Sequence, residues 1–205
     1  MDVLPLVLTS GWASGINAYA VVLVVGLLGR FGDVPGVPGA LERPDVLIAA
    51  AIMFAIEFVT DKIPYVDSAW DAISTFIRPA VGATLGALIA GTSDTGLSQA
   101  FYAATGGFLA LASHAVKSGL RLAINTSPEP ISNITASLAE DLTVVGVISL
   151  AVHHPVPAAI ISMTLLVLAL WLVIHVGKRI RTYLQRFGYF GGKAAARSAS
   201  PTNPP

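Results

Sequence analysis

The chain has 205 residues, 54% of them hydrophobic and 12% charged, with a mean hydropathy of +0.73. Soluble domains carry about 25% charged residues, so this composition excludes an ordinary water-soluble domain and points to a polytopic membrane protein. Cysteine is absent, which excludes disulfides and thiolate-ligated metals, and the zero net charge says nothing about partners until charges are assigned to sides.

Six apolar segments follow in order, at about 4–28, 45–61, 79–91, 97–122, 132–152 and 156–177; a plain spanning helix needs about 20 apolar residues. The N-terminal MDVLPLVL lacks the Lys/Arg region of a signal peptide and is read as retained. The first segment is interrupted by TSGWASGINAY, residues 9–19. Here Gly11 is expected to end a short helix, and Ser14 to cap a second one running from Gly15 to Leu28. A broken helix frees backbone groups at membrane depth, and Ser14 and Asn17 would supply dipoles to a ligand or ion there. The plainer alternative lays residues 1–13 along the interface ahead of one normal span.

After a Gly/Pro-rich loop and a short second segment comes the densest polar stretch, EFVTDKIPYVDSAWDAISTFIRP, residues 57–79. Pro64 is expected to end the second span, and the Ser68–Asp71 spacing to start an amphipathic interfacial helix that stops before Pro79. Glu57, Asp61, Lys62, Asp67, Asp71 and Arg78 are more charge than such an elbow requires. Gly82, Gly86 and Ala90 form a small-residue surface suited to helix packing, and Gly106–Gly107 another. In the fourth segment His114, Lys117 and Arg121 recur at i, i+3 and i+7, a cationic helix face. That face either anchors by snorkelling, pairs with carboxylates, or receives an anion.

Upstream of the fifth span, SPEPISNIT makes an irregular entry, and Ser137 stands three residues before Glu140, a capping spacing that starts a helix. Glu140 and Asp141 then head an apolar run; carboxylates suit a helix N-terminus, and near hydrocarbon depth they are functional candidates. Ser14, Asn17 and Val21–Val22 weakly echo Ser137, Glu140 and Val144–Val145. The sequons at Asn125 and Asn133 fall on the expected cytoplasmic side, and His153–His154 lies in an outer loop without further ligands. The sixth span leads into GKRIRTYLQRFGYFGGKAAAR; counting back from it places ten basic residues on one side against Arg30 and Arg43 on the other. Both termini are therefore expected in the cytoplasm.

The runs SGINAY, GLLGRFG, EFVTDKIPYVDSAWD, TFIRPAVGA, HAVKSGLR, NTSPEPISN and SLAED, in order across about residues 10–152, resemble one bacterial membrane family, catalogued as domain of unknown function 4126. Ala18 departs from its pattern, in which proline often follows the asparagine. The resemblance implies membrane class and the grouping of these motifs, and it carries no substrate.

The expectation is an all-α polytopic transmembrane bundle of about six spans with broken or short helices and an interfacial helix. One transmembrane domain covers residues 1–182, followed by a basic and then disordered cytoplasmic tail, 183–205. The setting is the bacterial inner membrane, and the leading function a small transporter or channel-like protein for a polar or anionic solute, with proton coupling as a variant. Glu57 and Glu140 are its protonatable candidates, and Lys117 and Arg121 its anion holders. A structural or accessory protein with a buried ion-pair network is the alternative, and a lipid-headgroup enzyme using His114 the third. No nucleotide loop, nucleophile elbow or zinc helix motif is present, so the chain is expected not to be an enzyme. No cofactor or nucleic-acid partner is expected; the bilayer, a small solute and a second copy of the chain are the candidate partners.

Overall fold

A computed structural model describes residues 3–32, 34–91, 96–125 and 130–186, and every structural statement concerns these. The SPEP entry at 127–130 and the tail beyond 186 therefore lie almost wholly outside the described residues. Six helices form: α1 Val3–Gly32, α2 Pro44–Thr60, α3 Val66–Ala90, α4 Gly96–Ile124, α5 Pro130–His153 and α6 Pro155–Arg186. Four of them, α1, α3, α5 and α6, are long and apolar enough to cross a membrane. The other two differ for separate reasons: α2 has only 17 residues, and α4 carries His114, Lys117 and Arg121 on an otherwise small and apolar helix.

The distribution of polarity is the reverse of a water-soluble protein's. Glu57 and Arg121 are fully buried, whereas Phe76, Leu97 and Ile131 are 77–82% exposed. On α2, the exposed Ile48, Ile52, Ile56 and Val59 recur along one face. Charge inside and hydrocarbon outside is what a bilayer solvent demands, and the protein is a helical membrane protein in this sense.

Helix α1 is the hub, packing against α2, α3, α4 and α5, while α3 and α4 make the most extensive helix pair. Small residues permit that closeness. A Cβ on Gly82 or Gly106 would collide with backbone of the partner helix, and one on Gly15 would overlap the Ser113 hydroxyl and the Ala110 carbonyl. The small-residue surfaces expected on α3 and α4 thus face each other.

Several boundaries differ from expectation. Helix α2 stops at Thr60, before Pro64, and the turn closes on Tyr65 with a positive φ of 70°. No separate interfacial helix precedes the third span: α3 runs unbroken from Val66 through Pro79 to Ala90. Proline removes one N–H and one intrahelical bond, but packing on α4 holds the helix across the gap. Likewise α5 begins at Pro130, so Ser137 and Glu140 lie inside the helix and not at its start.

The chain divides into two compact units, residues 1–167 and 168–205. Within the first, α6 buries Ala158, Ala159, Ser162 and Leu166. The second is described by itself: it continues as helix to Arg186, exposes Leu168, Trp171, Leu172 and Ile174, and stacks Trp171 on His175.

Candidate functional site

The interruption in the first segment is real, and it falls three residues after the expected cap. Gly11 and Ser14 are helical; the one non-helical residue in α1 is Asn17, at φ −149° and ψ 95°. This extended residue separates half-helices over 3–16 and 18–32. Asn17 caps the second half, its Oδ1 accepting the Ala20 N–H at 2.9 Å. The break forms here even with Ala18 in place of proline. Nor do residues 3–13 lie at the interface, since Leu6, Val7, Trp12 and Ala13 are buried in the bundle.

The end of the first half-helix leaves carbonyls without intrahelical donors. Cations from two other helices supply them: Arg78 Nη1 donates to the Gly15 carbonyl at 3.3 Å, and Lys117 Nζ to the Ile16 carbonyl at 3.0 Å. The Ser113 hydroxyl donates to the Trp12 carbonyl at 2.7 Å. Positive charge at a helix C-terminus also suits the macrodipole. Across the break, the Asn17 amide donates to Asp141 Oδ1 at 3.0 Å, near the positive end of the second half-helix. The break and the charges are therefore one site.

That site is a network of ten ionisable side chains from α2 to α5 and the turn after α2. Arg78 holds Glu57 at 2.6 Å and Asp71 at 3.1 Å. Lys117 meets Asp61 at 2.6 Å and Glu57 and Glu140 at 3.6 Å. Arg121 meets Glu140 at 2.6 Å, Asp61 at 3.8 Å and Asp67 at 3.9 Å. Lys62 lies 3.8 Å from Asp141 and donates to the Ser137 hydroxyl at 3.3 Å. It stands in the turn outside the helices, where partial burial holds its pKa below the ordinary lysine value, with Asp141 pulling the other way. The cations are Lys62, Arg78, Lys117 and Arg121; the carboxylates are Glu57, Asp61, Asp67, Asp71, Glu140 and Asp141. Acid thus exceeds base by two groups. Among the described residues Glu57 Oε2, Asp61 Oδ1 and Asp71 Oδ2 are buried with no hydrogen-bond partner.

His114 stands at one edge. Arg78 Nη1 lies 2.7 Å from His114 Nδ1, and a guanidinium can only donate, so Nδ1 is the acceptor and the ring proton is on Nε2. That N–H faces the Thr75 hydroxyl at 2.9 Å and the Ser118 hydroxyl at 3.4 Å. Both hydroxyls line an open cleft of about 200 Å³ between α3 and α4, together with Ser68, Asp71, Ala72 and Leu122.

Of the residues expected at the site, all are joined to this network by hydrogen bonds or ion pairs except Ser14. Its hydroxyl is buried with no hydrogen-bond partner among the described residues, and it caps nothing. Lys117 and Arg121 are not free to hold an anion as expected, because the chain's own carboxylates and carbonyls occupy them. Asn133, Asn125 and Ser113, none of them a site candidate by sequence, also take part. Asn133 Oδ1 accepts from Arg121 at 2.5 Å, and Asn125 donates to both Asp67 oxygens at 3.0 Å. A signal for Asn133 existed: with Ser137, Glu140 and Asp141 it recurs at i, i+4, i+7 and i+8, one helical face.

The family model described as Domain of unknown function (DUF4126) matches residues 4–175. No curated protein and no solved structure matches the chain.

Proposed function

The chain belongs to the DUF4126 family, and we propose that it is a small proton-linked transporter or channel-like membrane protein. The observation that carries this reading is the excess of six carboxylates, five of them buried and Glu140 partly so, over four cations around the broken helix α1. An ionised carboxylate without a counter-charge is very costly in a low-dielectric interior, and such a group neutralises itself instead. Protons are the smallest species that balance the two surplus groups, and their arrival and departure would reset which carboxylate each cation holds. Glu57 and Glu140 are the leading carriers, because each shares a cation with another acid and so can pass its charge on. A polar or cationic solute suits this site better than an anion. The basic end of α6, with Lys178, Arg179 and Arg181, supports cytoplasmic termini in an inner membrane.

The test is proton flux in proteoliposomes under an imposed potassium diffusion potential, read by an internal pH dye. The wild-type chain is expected to acidify or alkalinise the lumen faster than empty vesicles, with both Glu57→Gln and Glu140→Gln lowering the rate towards theirs. Wild-type vesicles indistinguishable from empty ones would sink the proposal.

A second reading, a purely structural ion-pair lock, is favoured by Arg121. It is fully buried and bonded to Glu140, to the Asn133 side chain and to the Asp61 carbonyl. In that case stability responds to these charges and no proton flux exists.

A further inference from the structure

We propose that the α3–α4 cleft is a water-filled, cation-selecting vestibule in which Asp71 is the first group to accept an incoming proton. Three observations meet there. The cleft is open and of about 200 Å³, room for several waters at about 30 Å³ each. Polar side chains from both helices line it, Ser68, Asp71 and Thr75 from α3 and Ser118 from α4, beside the apolar Ala72 and Leu122. And Asp71, only 4% exposed, lines it with Oδ2 free of any hydrogen-bond partner among the described residues. A buried carboxylate oxygen is expected to be paired, and on a residue that lines an open cleft the partner can enter from it as water or a cation.

The charges around Asp71 decide the sign. On its own helix Arg78 takes Oδ1 at 3.1 Å, and Asp67 lies one turn earlier. On α4, His114 is neutral in the tautomer that Arg78 imposes, and Lys117 and Arg121 are engaged by Asp61 and Glu140. From α2 come Glu57 and, at its C-cap, Asp61. Before a proton arrives these carboxylates outnumber the cations, so in that state the vestibule attracts cations and repels anions. A hydronium ion arriving there breaks one O–H bond and forms one on Asp71 Oδ2, leaving water behind. The neutral Asp71 then loosens its hold on Arg78, which keeps Glu57 at 2.6 Å. That last step rests on the proton-linked reading above; the wet, cation-selecting cleft does not.

The absence of cysteine makes the test direct. Ser118→Cys places one thiol in the cleft, and Phe108→Cys places one on the 70% exposed, hydrocarbon-facing side of α4. Both are challenged in sealed vesicles with membrane-impermeant cationic and anionic methanethiosulfonates of similar size. The Ser118→Cys thiol should react from one side of the membrane only, and the Phe108→Cys thiol from neither. At low salt the cationic reagent should react about tenfold faster than the anionic one, the scale of one nearby unit charge in partly screened surroundings. That ratio should fall towards unity near 1 M salt, where the Debye length is about 3 Å, and in an added Asp71→Asn change. If Ser118→Cys accumulates poorly, Ala72→Cys reports on the same wall. Reaction only with a membrane-permeant reagent means the cleft is filled by lipid and overturns the proposal. A ratio of one or below at low salt overturns the cation selection. Because labelling needs no transport, an intact vestibule in a chain that moves no protons would reject the functional reading and leave this one standing.

Discussion

Asn17 shows how much one side chain can do at a helix break. Its oxygen accepts the Ala20 N–H and its amide donates to Asp141, so both ends of the side chain are used. Asn17→Ala removes a cap worth about 1 kcal/mol and strands a buried carboxylate oxygen at about 1–3 kcal/mol. Thermal unfolding in detergent should therefore fall clearly below wild type. Asn17→Ser keeps a capping oxygen but loses the amide donor, and should lie between the two. Asn17→Asp keeps the cap yet sets a second carboxylate against Asp141, and should do no better than alanine. An alanine variant as stable as wild type would mean that α1 does not break where the geometry places it.

At the scale of helices, the contact of α3 with α4 depends on the absence of side chains. Gly82→Val should separate the pair and cost about 1–3 kcal/mol by overpacking, because its Cβ would meet the Gly106 carbonyl and Ala110. Gly146 in α5 is the counter-case. Nothing lies within 4 Å of a Cβ added there, so Gly146→Ala should stabilise by up to about 1 kcal/mol through helix propensity alone. Opposite shifts in unfolding temperature for the two changes would support this packing; equal shifts would contradict it. Proline follows the same logic. Stop signals at Pro79 and capping signals at Ser68 and Ser137 are rules for helix ends that water can solvate. Inside a bundle, neighbouring helices take over that task, and α3 and α5 run straight through the signals.

For the whole molecule, the decisive property is that charges are shared and not paired. Lys117 touches Asp61, Glu57 and Glu140, so Lys117→Met should cost about 3–5 kcal/mol by leaving buried carboxylates uncompensated. Reversing the closest pair, Asp61→Lys with Lys117→Asp, should fail to restore expression or stability. The new acid would face Glu57 and Glu140, and the new base would face Arg121. Full rescue by the reversal would show that the pair acts alone, and would remove the network as the unit of function.

By itself the sequence determined the solvent of this protein and its helical class. A low charge content with charges confined to a few motifs admits little else, and the charged candidates from Glu57 to Asp141 meet in one network. Four of the six expected segments also match their helices closely, α1, α2, α4 and α5 each lying within about one turn of the apolar run. What the sequence could not determine is which charge answers which, or where α1 breaks. Periodicity gives the face of one helix, whereas pairing depends on distances between helices, and these are set by glycine contacts distant in sequence. Lys117 and Arg121 read equally well as anion holders until Asp61 and Glu140 are found on them. The break lies at Asn17 and not at Ser14 for the same reason: there Arg78 and Lys117, from two other helices, solvate the freed carbonyls, and Asp141, from a third, holds the Asn17 amide.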